Sequence, residues 1–206
     1  MSHGTTSSRE IFDLLIAWLG VSFAFSLAFG LHVSLTSVRD MLVTVLVPFV
    51  IVGSGFVLHE LLHKFTAQHF GFWSEFRANY VTLALSILFA ALTGIVFAAP
   101  GATMIYGPNI TKRQNGIISA AGPLLNLALA GLYLPLWVFG TPGTLLRSIG
   151  LYGVEINIWL SAFNLLPIGA LDGRKVLDWG IAQYLAIAVI PFIGAVYVFF
   201  GFFNLF

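Results

Sequence analysis

The segment 58–71 reads LHELLHKFTAQHFG, and it follows a nearly unbroken apolar run. It contains His59, His63 and His69, three of the five histidines in the chain. Residues four positions apart on a helix share a face, so His59 and His63 can direct their imidazole nitrogens at one ion. Glu60 would lie beside that ion, where H-E-x-x-H zinc sites place their general base. The segment therefore predicts a helix at membrane depth that carries two zinc ligands and a base.

The composition indicates that the lipid bilayer is the main solvent of this chain. Of its 206 residues, 59% are hydrophobic and 8% are charged, whereas soluble domains average about 25% charged residues. The net charge of +1 provides no basic field, so no nucleic-acid partner is expected. The absence of cysteine excludes thiolate metal sites and disulfides.

Long apolar runs, which are candidates for membrane spans, occupy most of the sequence. They are Ile11 to Leu31, Met41 to Lys64, Tyr80 to Ala98, Gly116 to Val138, Ser148 to Leu166 and Trp179 to Phe206. Because the polar connections between them are short, we expect residues 1–206 to form a single membrane-embedded domain. Pro48 predicts a kink in the second run.

The first apolar run is expected to be a retained helix. Ser7 and Glu10 have the spacing of a capping box at its start. No small-residue cleavage site follows the run, so the pattern does not favour a cleaved signal peptide.

A catalytic zinc ion usually has three protein ligands and a water molecule, and the sequence offers four candidates for the third ligand. His69 lies six residues past His63, which is about 240° around a continuous helix, so it would face away from the metal. Glu75 follows in the next connection, and Glu155 lies inside the fifth run. Asp172 follows that run in the segment NLLPIGALDG.

Three motifs occur in an order that resembles the site-2 protease family of intramembrane zinc metalloproteases. They are HELLH at 59–63, AGPLLN at 121–126 and NLLPIGALDG at 164–173, and together they cover most of the chain. The resemblance implies site roles as follows: His59, His63 and Asp172 as zinc ligands, Glu60 as the catalytic base, and Asn126 and Asn164 as substrate-binding residues. The family often has Pro and a second Gly where this chain has Ala170 and Arg174, which weakens the expected backbone geometry around Asp172.

The zinc site also constrains the path through the membrane. If Asp172 completes the site, the second and fifth runs must end on the same side of the bilayer, so one run between them does not cross. Residues 80–98 are the best candidate, because the run ends in a Pro-Gly break. We therefore expect an α-helical polytopic membrane protein with about five crossings, one re-entrant or partly inserted segment and small strands near the site. Six full crossings are the alternative.

Basic residues provide an independent test of this topology. With five crossings, seven of the nine basic residues share the side of the zinc site: Arg9, Lys64, Arg77, Lys112, Arg113, Arg174 and Lys175. Only Arg39 and Arg147 lie opposite. By the positive-inside rule, the N-terminus and the active site are expected near the cytosolic face of the cell membrane.

The resemblance implies a zinc-dependent endopeptidase, with one zinc ion per chain, that cleaves transmembrane segments of other proteins. The strand-like segment ATMIYG could pair with an unwound substrate. The alternatives are a metal-binding membrane transporter or channel and an inactive protease-like scaffold. The presence of Glu60 directly after the first histidine favours hydrolysis over both.

Overall fold

The computed structural model describes residues 6–30, 37–97 and 100–203. Helices and a two-stranded sheet alternate along these residues: α1 Ser8–Gly30, α2 Val38–His69, β1 Trp73–Ala78, α3 Tyr80–Thr93, β2 Gly101–Tyr106, α4 Lys112–Phe139, α5 Leu145–Asn164, α6 Asp172–Trp179 and α7 Ile181–Phe203. Each predicted apolar run overlaps mainly with one helix, namely α1, α2, α3, α4, α5 or α7. The predicted run ends at Leu31, Ala98 and Phe206 lie outside the described residues.

Helix α2 carries the HELLH motif and is continuous over 32 residues. It contains two π-helical turns, Leu42–Leu46 and Gly53–Val57. Pro48 follows the first of them, where its missing N–H coincides with a local departure from α-helical hydrogen bonding. A π turn therefore directly precedes the turn that contains Pro48, and the kink predicted at Pro48 stays a prediction.

The two strands form an antiparallel pair in which Ala78 is opposite Gly101. The chain between them includes α3, whose 14 residues extend about 21 Å, less than the roughly 30 Å of a hydrocarbon core. Because Ala78 and Gly101 are paired, the segment that contains α3 leaves the two-stranded sheet and returns to the same end of it. The predicted strand elements next to the site are confirmed.

Within the described residues, the helices long and apolar enough to cross a membrane are α1, α2, α4 and α7. Helix α5 is also 20 residues long, or about 30 Å, but it contains Arg147 and Glu155 and is less apolar. Only residues 140–144 separate α4 from α5, so the two helices pack antiparallel. The chain therefore returns along α5 towards the end at which α4 begins.

Contacts between distant segments identify the two ends of the bundle. Near the start of α2, the Arg39 guanidinium donates to Ser148 Oγ at 3.3 Å, beside the start of α5. At the other end, Trp179 of α6 packs against Gly116 in the first turns of α4, where a Cβ added to the glycine would be 2.4 Å from the tryptophan Cβ. The segment that carries Asp172 therefore packs at the end of the bundle where α4 begins.

A buried ion pair attaches α1 to the HELLH helix. Lys64 Nζ lies 2.5 Å from Glu10 Oε2, and both side chains are buried. Glu10 Oε1 accepts the N–H of Phe76 in β1 at 3.1 Å. Ser7 Oγ accepts the Glu10 N–H at 3.0 Å, which is the first half of the predicted capping box. The Glu10 carboxylate joins α1, α2 and β1.

Candidate metal centre

His59, His63 and Asp172 meet as a buried cluster that could hold a metal ion. His63 Nε2 lies 3.0 Å from His59 Nε2 and 3.0 Å from Asp172 Oδ2, and His59 Nε2 lies 3.4 Å from the same oxygen. A tetrahedral zinc ion with bonds of about 2.0–2.1 Å separates its ligand atoms by about 3.3 Å. The spacing and the donor types both fit zinc.

Hydrogen bonds on the far side of each imidazole direct Nε2 at the cluster. His63 Nδ1 lies 2.7 Å from the Ile118 carbonyl oxygen, which can only accept, so Nδ1 donates. His59 Nδ1 lies 2.6 Å from Asn126 Oδ1. The Asn126 nitrogen donates to the Gly55 carbonyl at 3.2 Å, so its oxygen accepts from His59. Both Nε2 lone pairs are left for the metal, as in other metal-bound histidines.

Asn126 is fully buried, and its amide also reaches α5. Its nitrogen donates to Asn157 Oδ1 at 2.9 Å, and the Asn157 nitrogen donates to the Gly153 carbonyl at 2.8 Å. These bonds support His59 from behind; contact of Asn126 with a substrate stays a prediction. Asn157 was not among the predicted site residues, although a polar amide within an apolar helix was the signal available.

Asp172 is the first residue of α6 and is buried between the two histidines. Burial raises the pKa of its carboxyl, whereas the charge of a protonated His63 and hydrogen bonds from protonated imidazole nitrogens lower that pKa well below its usual range. A metal ion bound at Nε2 would take the place of those protons. Lys175 Nζ lies 3.7 Å from the other oxygen, Oδ1. Asp172 therefore directs Oδ2 at the histidines, where this oxygen could hold a metal ion together with the two Nε2 atoms.

The glycines in the two later motifs allow close approach of the helices. A Cβ on Gly122 would lie 2.5 Å from His59 Nε2, and one on Gly173 would lie 2.0 Å from the Leu165 carbonyl oxygen. The side chain of Arg174, which follows Gly173, is exposed and pairs with Asp178 at 3.5 Å.

Glu60 lies beside the metal cluster and is held by β2. Its Oε2 accepts the backbone N–H of Thr103 at 3.1 Å and the Thr103 hydroxyl at 2.9 Å. Sequence reasoning identified this segment as strand-like but did not single out Thr103. A threonine in a strand is common, and only the tertiary structure shows that it faces the base.

The other candidate ligands lie away from the cluster. His69 is exposed at the end of α2, where its ring contacts Phe70. Glu75 is buried in β1 and pairs with Arg77 at 2.6 Å. Glu155 is half-buried in α5 and is not part of the cluster. Of the carboxylates considered, Asp172 is the one that the structure brings to the histidines.

A cleft of about 330 Å³ opens onto the cluster. Its lining includes Glu60, His63 and Asp172 together with the β2 residues Thr103 and Ile105. Asn164 also lines this cleft, and its nitrogen donates to the Leu160 carbonyl at 2.9 Å. An extended peptide laid along β2 would therefore pass Glu60, His63 and Asp172.

Comparison with known proteins agrees with this site. The chain is 41% identical over 194 residues to a protein of Methanocaldococcus jannaschii named "Putative zinc metalloprotease MJ0611", an alignment that covers 94% of this chain and 96% of that protein. It is 34% identical over 148 residues to "Putative zinc metalloprotease Rip2" of Mycolicibacterium smegmatis, covering 63% of this chain and 57% of that protein. It is 26% identical over 151 residues to "Putative zinc metalloprotease YwhC" of Bacillus subtilis, an alignment that covers 65% of this chain and 69% of that protein.

The near full-length match at this identity shows that the chain belongs to the zinc metalloprotease family of these relatives. No family model matches the chain, and no solved structure gives a significant match.

Proposed function

We propose that this protein is a zinc-dependent intramembrane endopeptidase of the site-2 protease type. The observation that carries the proposal is the buried cluster of His59, His63 and Asp172, with Glu60 in the same cleft. The site lies in a chain whose described residues include four helices able to cross a membrane. The names of the relatives support zinc as the metal, and the cluster of three candidate ligands in the described residues is the basis for proposing one ion per chain.

The residues of the site have distinct roles in hydrolysis. Zinc, when bound, supplies a water of lowered pKa and polarises the peptide carbonyl. Glu60 takes a proton from the attacking water and delivers it to the amine of the departing peptide. Asn126 holds His59 in the tautomer that binds metal, and Asn164 remains a candidate contact for the substrate backbone.

The proposed substrates are transmembrane segments of other membrane proteins. A helix hides its peptide bonds in internal hydrogen bonds, so the segment must unwind before a carbonyl can reach Glu60. The edge of β2 supports such binding. The Thr103 N–H donates to Glu60 and not to β1. Backbone groups two positions apart on a strand point in the same direction. Gly101 and Ile105 therefore also direct their backbone N–H and C=O groups at the cleft. An unwound substrate would add to this edge as a third strand.

We further propose a multi-pass protein of the cell membrane with five crossings, formed by α1, α2, α4, α5 and α7. The return of the α3 segment to the sheet supports a re-entrant insertion, and the antiparallel packing of α4 and α5 supports a crossing by α5. The distribution of basic residues favours a cytosolic N-terminus and active site. With five crossings, the end of α2 and the start of α6 lie on the same side of the membrane, which agrees with the 3.0 Å between His63 Nε2 and Asp172 Oδ2.

Cleavage by purified protein tests the proposal. Wild type and Glu60→Gln are incubated with a membrane-spanning substrate in liposomes, after zinc removal and after zinc is restored. We expect cleavage only by zinc-loaded wild type, while Glu60→Gln keeps its zinc. Undiminished cleavage by Glu60→Gln would contradict the mechanism. Zinc flux across the liposomes without cleavage would favour the transporter alternative, and zinc binding with neither activity would favour an inactive scaffold.

A further inference from the structure

We infer that Thr103 is a positioning residue whose hydroxyl keeps the Glu60 carboxylate in place while a substrate strand occupies the edge of β2. The inference rests on the proposed function and adds a role for a residue outside its three sequence motifs. It follows from an arrangement in which one residue offers two donors to the same carboxylate oxygen.

Both donors of Thr103 meet Glu60 Oε2: the backbone N–H at 3.1 Å and Oγ1 at 2.9 Å. The hydroxyl also lies 3.2 Å from the Glu60 backbone carbonyl. Within the described part of the chain, no hydrogen bond is recorded at Oε1. The paired donors therefore fix one oxygen of the carboxylate and leave the other available for proton transfer.

The backbone donor belongs to the edge that a substrate strand would use. Thr103 is opposite Phe76 in the sheet, and the Phe76 N–H donates to Glu10. Both residues of this pair thus direct their N–H groups away from each other, which is the pattern of a non-hydrogen-bonded antiparallel pair. A third strand added to β2 would take its hydrogen bond from the Thr103 N–H.

A backbone residue has one N–H to donate, so the substrate strand and Glu60 compete for it. When the substrate takes this donor, the Thr103 hydroxyl remains on Glu60 Oε2. The hydroxyl thus becomes the main anchor of the base at the stage when the base must act. Loss of the hydroxyl should reduce catalysis in the bound complex without weakening the binding that β2 provides.

The test compares Thr103→Val, Thr103→Ser and Thr141→Val as zinc-loaded proteins in liposomes with the same transmembrane peptide. Valine keeps the branched shape that suits a strand but has no hydroxyl, and serine restores the hydroxyl. Thr141→Val is the same substitution at an exposed position in the connection between α4 and α5. Zinc content and melting temperature are measured for each protein.

A positioned general base contributes about 10²–10⁴-fold to rate, so we expect Thr103→Val to lower kcat at least about tenfold. KM should stay within about twofold, and Thr103→Ser and Thr141→Val should resemble wild type. If Thr103→Val loses zinc or melts early, Thr103→Ala repeats the comparison without the added methyl group.

Several results would overturn the inference. They are an unchanged kcat in Thr103→Val, a rise in KM alone, or an equal loss of kcat in Thr103→Ser. Failure of zinc-loaded wild type to cleave would instead overturn the proposed function, and this inference with it. The two failures are distinguishable, because only the second affects every variant alike.

Discussion

His59 Nδ1 and Asn126 Oδ1 lie 2.6 Å apart, and this contact links the metal cluster to the interior of the helix bundle. The oxygen of Asn126 can face His59 because its nitrogen donates to Gly55 and Asn157 on the other side. The asparagine thus selects the imidazole tautomer whose Nε2 binds metal.

Asn126→Ala should lower zinc affinity about 10–100-fold, the usual cost of losing such a supporting partner. Competition with a chromogenic chelator measures the affinity directly. Asn115→Ala, the same change earlier on α4, is the control and should bind zinc like wild type. Equal zinc affinity in Asn126→Ala and wild type would show that His59 does not need this partner.

Asp172→Ala should lose most of its zinc, because it removes one of three ligands. His69→Ala should keep the full amount, since this histidine is exposed at the end of α2. Metal analysis of the purified variants after dialysis measures both. Zinc retained by Asp172→Ala and lost by His69→Ala would overturn the assignment of ligands.

Gly122→Ala should displace His59 and reduce both zinc binding and cleavage, because the added Cβ would lie 2.5 Å from its Nε2. Gly131→Ala is a matched control on the same helix, where a Cβ meets nothing within 4 Å. Alanine favours a helix over glycine by about 1 kcal/mol, so the control should be as stable as wild type or slightly more stable. Normal zinc binding by Gly122→Ala would mean that α4 can shift away.

Breaking the pair of Lys64 and Glu10 should destabilise the protein strongly. Removing one partner of a buried ion pair costs about 3–5 kcal/mol, since a charge remains buried without compensation. Glu10→Gln should therefore lower the free energy of unfolding, measured by denaturant titration in detergent, far more than Asp178→Asn. The latter breaks an exposed pair with Arg174, worth about 0–1 kcal/mol. Similar losses in the two variants would argue against a role for the buried pair in holding α1.

The proposed topology predicts which side of the membrane each connection faces. The chain has no cysteine, so each introduced thiol is the only one present. Lys112→Cys and Lys175→Cys should react with a membrane-impermeant reagent only from the cytosolic side, and Arg147→Cys only from outside. Labelling of Lys112→Cys and Lys175→Cys solely from outside would contradict the five-crossing arrangement.

Much of the site was predictable because its spacing is local. His59 and His63 share one face of their helix wherever that helix lies in the fold, because they are four residues apart. Glu60 directly follows His59 in the chain. His69 lies six residues past His63, and this spacing on the same helix excluded it as the third zinc ligand. Asp172 was one of several acids that could complete the site, and a family resemblance, not spacing, favoured it.

Other features depended on contacts across the bundle. Thr103 carries no sequence signal of its role, since a strand threonine is an ordinary residue until its neighbours are known. Asn157 stands out only as a polar amide within an apolar helix, and its partner Asn126 is known only from the packing of α4 against α5. Glu10 was expected to complete a helix cap, yet its carboxylate binds Lys64 and the N–H of Phe76.

The sequence by itself determined an apolar chain with two candidate zinc ligands and a candidate base on one helix, because composition and helical periodicity are properties of short segments. The tertiary structure decided which carboxylate reaches the histidines, what holds each imidazole and which strand fixes Glu60. Those relationships join residues as much as 113 positions apart, as for His59 and Asp172, and only packing of the helices brings such residues together.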